Sequence, residues 1–222
     1  MADNRAASYV SSVTLWFVVG LYLVWIAAWS LERRLEVNLP WMRTAAGQTA
    51  YWTLMKVVLW VLPAIGLIRW SGRTVQSVLV LHRVKSILLW GGGVGALLVA
   101  LALAQKAANH RLFFPGKSDW SFFAGVFIAP VVEELTFRGA ILGNLLQRYS
   151  FATANTLTAG LFLGAHLPGW YFQGRLSLML TAPLGGALSV FLLGWLFGFV
   201  AYKGKSTAAS TLTHILSNFA AS

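Results

Sequence analysis

Apolar stretches of membrane length alternate with short charged connectors along this chain. A helix needs ~20 predominantly apolar residues to cross a bilayer. The pattern predicts crossings at Tyr9–Trp29, Thr49–Trp70, Ser86–Gln105, Trp120–Leu142, Ala152–Leu167 and Pro183–Tyr202. A further stretch, Thr207–Ala221, is short and partly polar. At ~1.5 Å per residue it falls short of the ~30 Å hydrocarbon layer, so the pattern predicts a helix packed against the others and lining a cavity. Pro168 and Gly169 are expected to stop the preceding helix just beyond His166. The stretch Pro168–Thr181, with Gly169, Gly174 and Arg175, then reads as a loop or an interfacial helix. The expected fold class is all-α: a polytopic transmembrane bundle of about six to eight helices around a polar intramembrane cavity.

Composition agrees with this pattern. Of 222 residues, 58% are hydrophobic and 10% charged, with a mean hydropathy of +0.69. A soluble domain carries about 25% charged residues. Trp16, Trp25, Trp29, Trp41, Trp52, Trp60 and Trp70, near or along the early segments, fit interfacial belts. The first apolar run is longer and bulkier than the ~7–15 residues of a signal-peptide core and reads as a retained span. A single membrane domain over residues 1–222 is the natural division.

The net charge of +11 sits mostly in the connectors Glu32–Glu36 with Arg43, Arg69–Lys85, Lys106–Asp119, Arg148, Arg175 and Lys203–Lys205. It points to topology and anionic headgroups, and no basic stripe with interleaved aromatics points to nucleic acid. With the N-terminus inside, eight basic residues fall on the inner side: Arg5, Arg69, Arg73, Arg83, Lys85, Arg148, Lys203 and Lys205. Seven fall outside: Arg33, Arg34, Arg43, Lys106, Arg111, Lys117 and Arg175. Eight against seven fixes no orientation. The absence of cysteine removes disulfides, thiolate metal sites and a cysteine nucleophile. Gly139/Gly143, Gly194/Gly198 and the cluster Gly91–Gly95 have the small-residue spacing that lets helix backbones approach closely.

Against this background, Glu133 and Glu134 stand out. The chain has six acidic residues, and two are adjacent inside an apolar span. One ionised carboxylate at the centre of a bilayer helix costs on the order of 3 kcal/mol, and such residues are functional candidates by default. Arg138, four residues after Glu134, can pair with it on a helix. Glu133 lies about 100° round the helix, beside Phe137. It is expected to be the freer of the two, where desolvation and a like-charged neighbour strengthen it as a base towards water. Pro130 can kink the helix and free a carbonyl. The plainer alternative is a Glu–Arg clasp pinning two helices. His166 closes the next span, one turn after Phe162, and alone reads as an interfacial histidine. His214 and Asn218 share one face of the last helix. Their side chains suit either stabilisation of an oxyanion or interhelical packing. The other histidines, His82 and His110, lie in or beside loops.

At these residues the chain resembles the intramembrane CAAX prenyl endopeptidases and bacteriocin-processing enzymes, the CPBP or Abi proteases. The family's Glu-Glu-x-x-x-Arg appears as Glu133, Glu134 and Arg138, its Phe-x-x-x-His as Phe162 and His166, and its His-x-x-x-Asn as His214 and Asn218. The stretch Gly194–Ser206 is similar to the family's glycine-containing span and turn before the last helix. The resemblance covers Trp120 to the C-terminus, a core of residues 120–222. Residues 1–119 carry no matching motif.

The resemblance implies a peptidase that cleaves inside or at the edge of the membrane. By motif transfer, Glu133 activates the attacking water, and His166 orients it or shuttles its proton. Arg138 holds Glu134, which supports the pair. His214 and Asn218 stabilise the oxyanion, and Phe162 walls the cavity. No cofactor is required by this reading. Zinc is the alternative, with Glu134, His166 and His214 as ligands. Against zinc stand the lack of a His-Glu-x-x-His helix and the competition of Arg138 for Glu134. The implied partners are the lipid bilayer and a membrane-anchored protein or peptide, lipidated or bearing a C-terminal sorting segment. The implied location is a bacterial inner (plasma) membrane. Two other function classes remain as alternatives: a non-proteolytic immunity or binding protein on the same scaffold, and a proton-coupled transporter. The transporter reading lacks obvious duplicated halves.

Overall fold

The structure is a computed structural model that describes residues 2–110 and 120–222, the side chains of residues 2–8 excepted. Arg111, Lys117 and Asp119 of the third connector, and the side chain of Arg5, lie outside the described residues. Among the described residues, seven long helices form the molecule: α1 (Ala2–Asn38), α2 (Ala45–Trp70), α3 (Val84–Ala108), α4 (Trp120–Leu145), α5 (Phe151–Phe172), α6 (Ala187–Gly204) and α7 (Thr207–Ala221). No strand occurs among the described residues, and the chain is an all-α integral membrane protein.

Helices α1 from Tyr9 onward, α2, α3, α4 and α6 are long and apolar enough to cross a membrane. Their outer faces carry large apolar side chains: Trp16, Leu23, Leu97, Leu101, Leu188 and Leu192 are exposed. An apolar exterior of that extent belongs in lipid. The interior is partly polar. Asn144 donates to Thr14 Oγ1 at 3.0 Å, Asn155 to Trp195 O at 2.9 Å, and Thr213 to Gly91 O at 3.0 Å. With no water in the bilayer core, such groups must be satisfied within the bundle. The glycine spacing does serve packing: a Cβ at Gly198 would lie 1.8 Å from Asn155 Oδ1, and one at Gly91 2.5 Å from Ala209 O.

Three expectations need correction. The first helix does not end at Trp29 but runs through the charged connector to Asn38. Glu and Arg are good helix formers, and Arg33 pairs with Glu36 at 2.9 Å, so the helix outlasts its hydropathy. Pro168 does not stop α5, which continues to Phe172. The last turn is held by packing: Phe172 stacks on Trp29, and Gly169 leaves room for the same indole. Gly174, at φ +68°, then turns the chain into a short helix, Leu176–Thr181. Finally, α5 has span length but is not among the five apolar helices. Its Asn155, Thr158 and Phe162 are buried within the bundle.

Local capping explains the breaks. Thr44 accepts from Gly47 N to start α2, Ser150 from Thr153 N to start α5, and Ser206 from Ala208 N to start α7. Three helices contain π-helical stretches: Val57–Val61 in α2, Ile87–Gly92 in α3, and Ala124–Ile128 with Leu135–Leu142 in α4. In α4 the first of these precedes Pro130, so the wider turn absorbs the proline.

Candidate active site

Glu133 and Glu134 close the α-helical stretch Ala129–Glu134 of α4, and a π-helical stretch starts immediately after them. Such bulges recur at functional sites. Both carboxylates are buried, but their partners differ. Glu134 is fully enclosed. Its Oε1 accepts from Arg138 Nη1 at 2.8 Å and faces His214 Nδ1 at 2.9 Å. Arg138 also donates through Nη2 to Gly194 O on α6 at 2.6 Å. Its guanidinium carbon lies 4.6 Å from the centroid of the Phe162 ring. One arginine thus ties α4 to α5 and α6.

Glu133 is not left free. Lys56 of α2 donates through Nζ to its Oε1 at 2.8 Å. His214 Nε2 stands 3.9 Å from Glu133 Oε2. The two carboxylates therefore each have a cation, and His214 sits between them. Spacing made Glu133 the freer of the two, beside Phe137 and a like-charged neighbour, and did not foresee the Lys56 partner. Lys56 was missed because it lies within an apolar span and far from the motif residues. The signal was present: a lysine inside a membrane segment is an intramembrane ionisable group like the glutamates.

Ring geometry constrains the histidines. His166 Nδ1 lies 2.9 Å from Phe162 O. A carbonyl only accepts, so Nδ1 carries the proton and Nε2 of a neutral ring is an acceptor. Similarly, His214 Nδ1 donates to the Glu134 carboxylate, leaving Nε2 as an acceptor unless the ring is doubly protonated. His214 also stacks on Phe197, with ring centroids 4.4 Å apart.

A cavity of about 330 Å³ opens beside Glu133. Lys56, Glu133, His166 and Gln173 supply its polar lining, and Trp25, Trp29, Trp52, Trp60 and Trp170 most of the rest. Four of these indoles were expected in interfacial belts. Instead they pack on one another, with centroids 4.9 Å apart for Trp25 and Trp60, 5.1 Å for Trp25 and Trp52, and 4.1 Å for Trp29 and Trp52. Aromatic pairs of this kind contribute ~0.5–1.5 kcal/mol each beyond their burial, which favours a preformed wall. Trp16, Trp41 and Trp70 are exposed, as belt residues are. Phe162 does not line this cavity. It packs behind it against Arg138, Phe137 and His166.

Of the motif residues, Glu133, Glu134, Arg138, His166 and His214 come together from α4, α5 and α7. Asn218 stands one turn further along α7 and donates to Gly125 O at 3.1 Å, away from both glutamates.

Glu134, His166 and His214 fit a zinc ion poorly. Glu134 Oε1 already takes Arg138 and His214, and the guanidinium would face the metal. His214 spends Nδ1 on Glu134. Among the described residues no group of three histidine or acidic side chains is arranged to hold a metal.

Residues 115–220 match the family model described as type II CAAX prenyl endopeptidase Rce1-like. Over this stretch, a little under half of the chain, the sequence is similar to the CAAX-type endopeptidases of the Rce1-like family, in agreement with the resemblance carried by the motifs. The similarity supports a peptidase of the intramembrane CAAX type in general. All six polar motif residues fall inside the matched part, whereas Lys56, Trp25, Trp29, Trp52 and Trp60 precede it. No curated protein and no solved structure matches the chain.

Proposed function

We propose that the chain hydrolyses a peptide bond of a membrane-associated protein or peptide with water activated by Glu133. The observation that carries this reading is the asymmetry of the glutamate pair. Glu133 lines the aromatic cavity together with Lys56 and His166, and Glu134 is sealed behind it by Arg138 and His214.

Water between Glu133 and His166 Nε2 donates one hydrogen bond to each. Its oxygen attacks the scissile carbonyl carbon as Glu133 takes a proton. The carbonyl π electrons move to oxygen, and the Lys56 ammonium, already at Glu133, stabilises the oxyanion. Glu133 then passes the proton to the departing nitrogen as the C–N bond breaks. The products are a carboxyl group and an amine. Glu134, Arg138 and His214 fix α4, α6 and α7 around this centre. Lys56 takes the oxyanion role that motif transfer gave to His214 and Asn218, since Asn218 is turned to Gly125 O and a neutral His214 offers no donor on Nε2. The chemistry is of the glutamate type, without metal. The engagement of Glu134 by Arg138 supports this.

The indole-walled cavity suits an apolar substrate group next to the cleaved bond, such as a lipidated tail or a C-terminal sorting segment. The whole chain acts as one domain: residues 120–222 carry the motif, and the earlier helices supply Lys56 and the cavity wall. The location proposed for it is a bacterial plasma membrane. C-terminal proteomics of membranes from cells producing the wild type or Glu133→Gln tests the reading. The expected result is a set of trimmed C-termini that the variant leaves uncut, and identical C-termini in both would refute it.

A further inference from the structure

A second cavity, of about 520 Å³, lies at the other side of Arg138, where α2, α4 and α6 end. Its lining includes Arg73, Arg138, Lys203 and Lys205, with Ser206 and Thr207 at the start of α7, and no acidic residue. We propose that this cavity binds a phosphate group, supplied by an anionic phospholipid headgroup or by a soluble phosphate.

Three of the four cations in its lining have no described counter-ion. Arg73 reaches into α4, donating to Gly139 O at 2.9 Å, Ala140 O at 3.1 Å and Asn144 Oδ1. All these partners are uncharged. Gly143 makes the space: a Cβ there would lie 2.0 Å from Arg73 Nη1. The glycine pair that spacing assigned to helix packing thus admits an arginine. Lys203 and Lys205 are exposed at the rim, and Lys205 is held in a left-handed turn at φ +49°. None of Arg73, Lys203 and Lys205 forms an ion pair with a described carboxylate. Arg138 is buried, and its Nε has no hydrogen-bond partner. The 15-residue helix α7 begins in the cavity wall, and helix N-termini favour anions.

Three uncompensated cations at one end of a membrane bundle meet the headgroup layer, where each basic residue adds to the attraction of acidic lipid. Arg138 lies between this cavity and Glu134, so a phosphate here would act on the guanidinium that holds Glu134. The binding claim does not depend on the peptidase reading.

The full chain, purified in neutral detergent, is tested by native mass spectrometry with added phosphatidylglycerol or phosphatidylcholine. In a second arm, inorganic phosphate is titrated at constant ionic strength while the thermal midpoint is followed. Lys203→Gln with Lys205→Gln, both at the exposed rim, is the comparison variant. Preferential retention of phosphatidylglycerol, lowered roughly tenfold in the variant, assigns the lipid headgroup. A phosphate-dependent rise in midpoint, lost in the variant, assigns a soluble phosphate. Equal retention of both lipids with no phosphate response overturns the proposal. So does a response that survives unchanged in the double variant.

Discussion

Lys56 and Glu133 meet across two helices, Nζ to Oε1 at 2.8 Å, although 77 positions separate them in the chain. The contact joins a helix without motif to the glutamate pair. It also gives the cavity an ammonium beside a carboxylate, the two charges that water activation and oxyanion stabilisation need.

If Lys56 stabilises the oxyanion, Lys56→Met lowers kcat by ~10²–10³-fold, in the range for losing one such donor. Lys56→Arg recovers part of the rate, because the charge returns with altered geometry. A merely structural lysine would instead show a lower thermal midpoint with kcat preserved in the folded fraction. Steady-state kinetics and thermal unfolding of both variants check this.

Arg138 and Glu134 have fully buried side chains 2.8 Å apart. Removing one partner of a buried pair destabilises by ~3–5 kcal/mol, because the other charge is left alone. Arg138→Met is therefore expected to lower the thermal midpoint sharply. Arg138→Lys does not restore it, since one ammonium cannot span Glu134 and Gly194 O as the guanidinium fork does. Recovery of the wild-type midpoint by lysine would contradict the clasp.

Much of this architecture was legible in the chain, and the losses have physical causes. Hydropathy located the spans because lipid-facing leucines dominate them. It misplaced the end of α1, where charged residues continue the helix by pairing with one another. It also placed Trp25, Trp29, Trp52 and Trp60 in belts, because an indole near a segment end reads the same whether it faces headgroups or another indole. Spacing paired Glu134 with Arg138 and put His214 and Asn218 on one face, and the family resemblance joined Phe162 and His166 to them. Lys56 was not visible, since its partner lies on another helix and no local pattern announces a tertiary ion pair. The π-helical stretches beside Lys56 and Glu134 leave no composition signal either.

The glycines allow a contrast in packing. Gly198→Ala would put a Cβ 1.8 Å from Asn155 Oδ1, and Gly160→Ala meets nothing within 4 Å. Overpacking costs ~1–3 kcal/mol. An open helical Gly→Ala change is expected to be neutral or to stabilise by up to ~1 kcal/mol. Thermal midpoints of the two variants in detergent should therefore move in opposite directions or differ by several degrees.

If, as proposed, Glu134 serves Arg138 and His214 rather than a metal, turnover does not depend on zinc. Treating the purified protein with 1,10-phenanthroline or EDTA is expected to leave turnover unchanged. Loss of activity on chelation with recovery on added zinc would place a metal where this account places only side chains.

The central claim is that Glu133 handles the attacking water. Wild type and Glu133→Gln, reconstituted in nanodiscs, are compared for kcat on a cleaved substrate found in membrane C-terminal proteomics. Helicity and thermal midpoint are measured alongside. A fall in kcat of ~10²–10⁴-fold, the range for losing a general base, is expected with helicity retained. Undiminished kcat in a folded Glu133→Gln protein would contradict it.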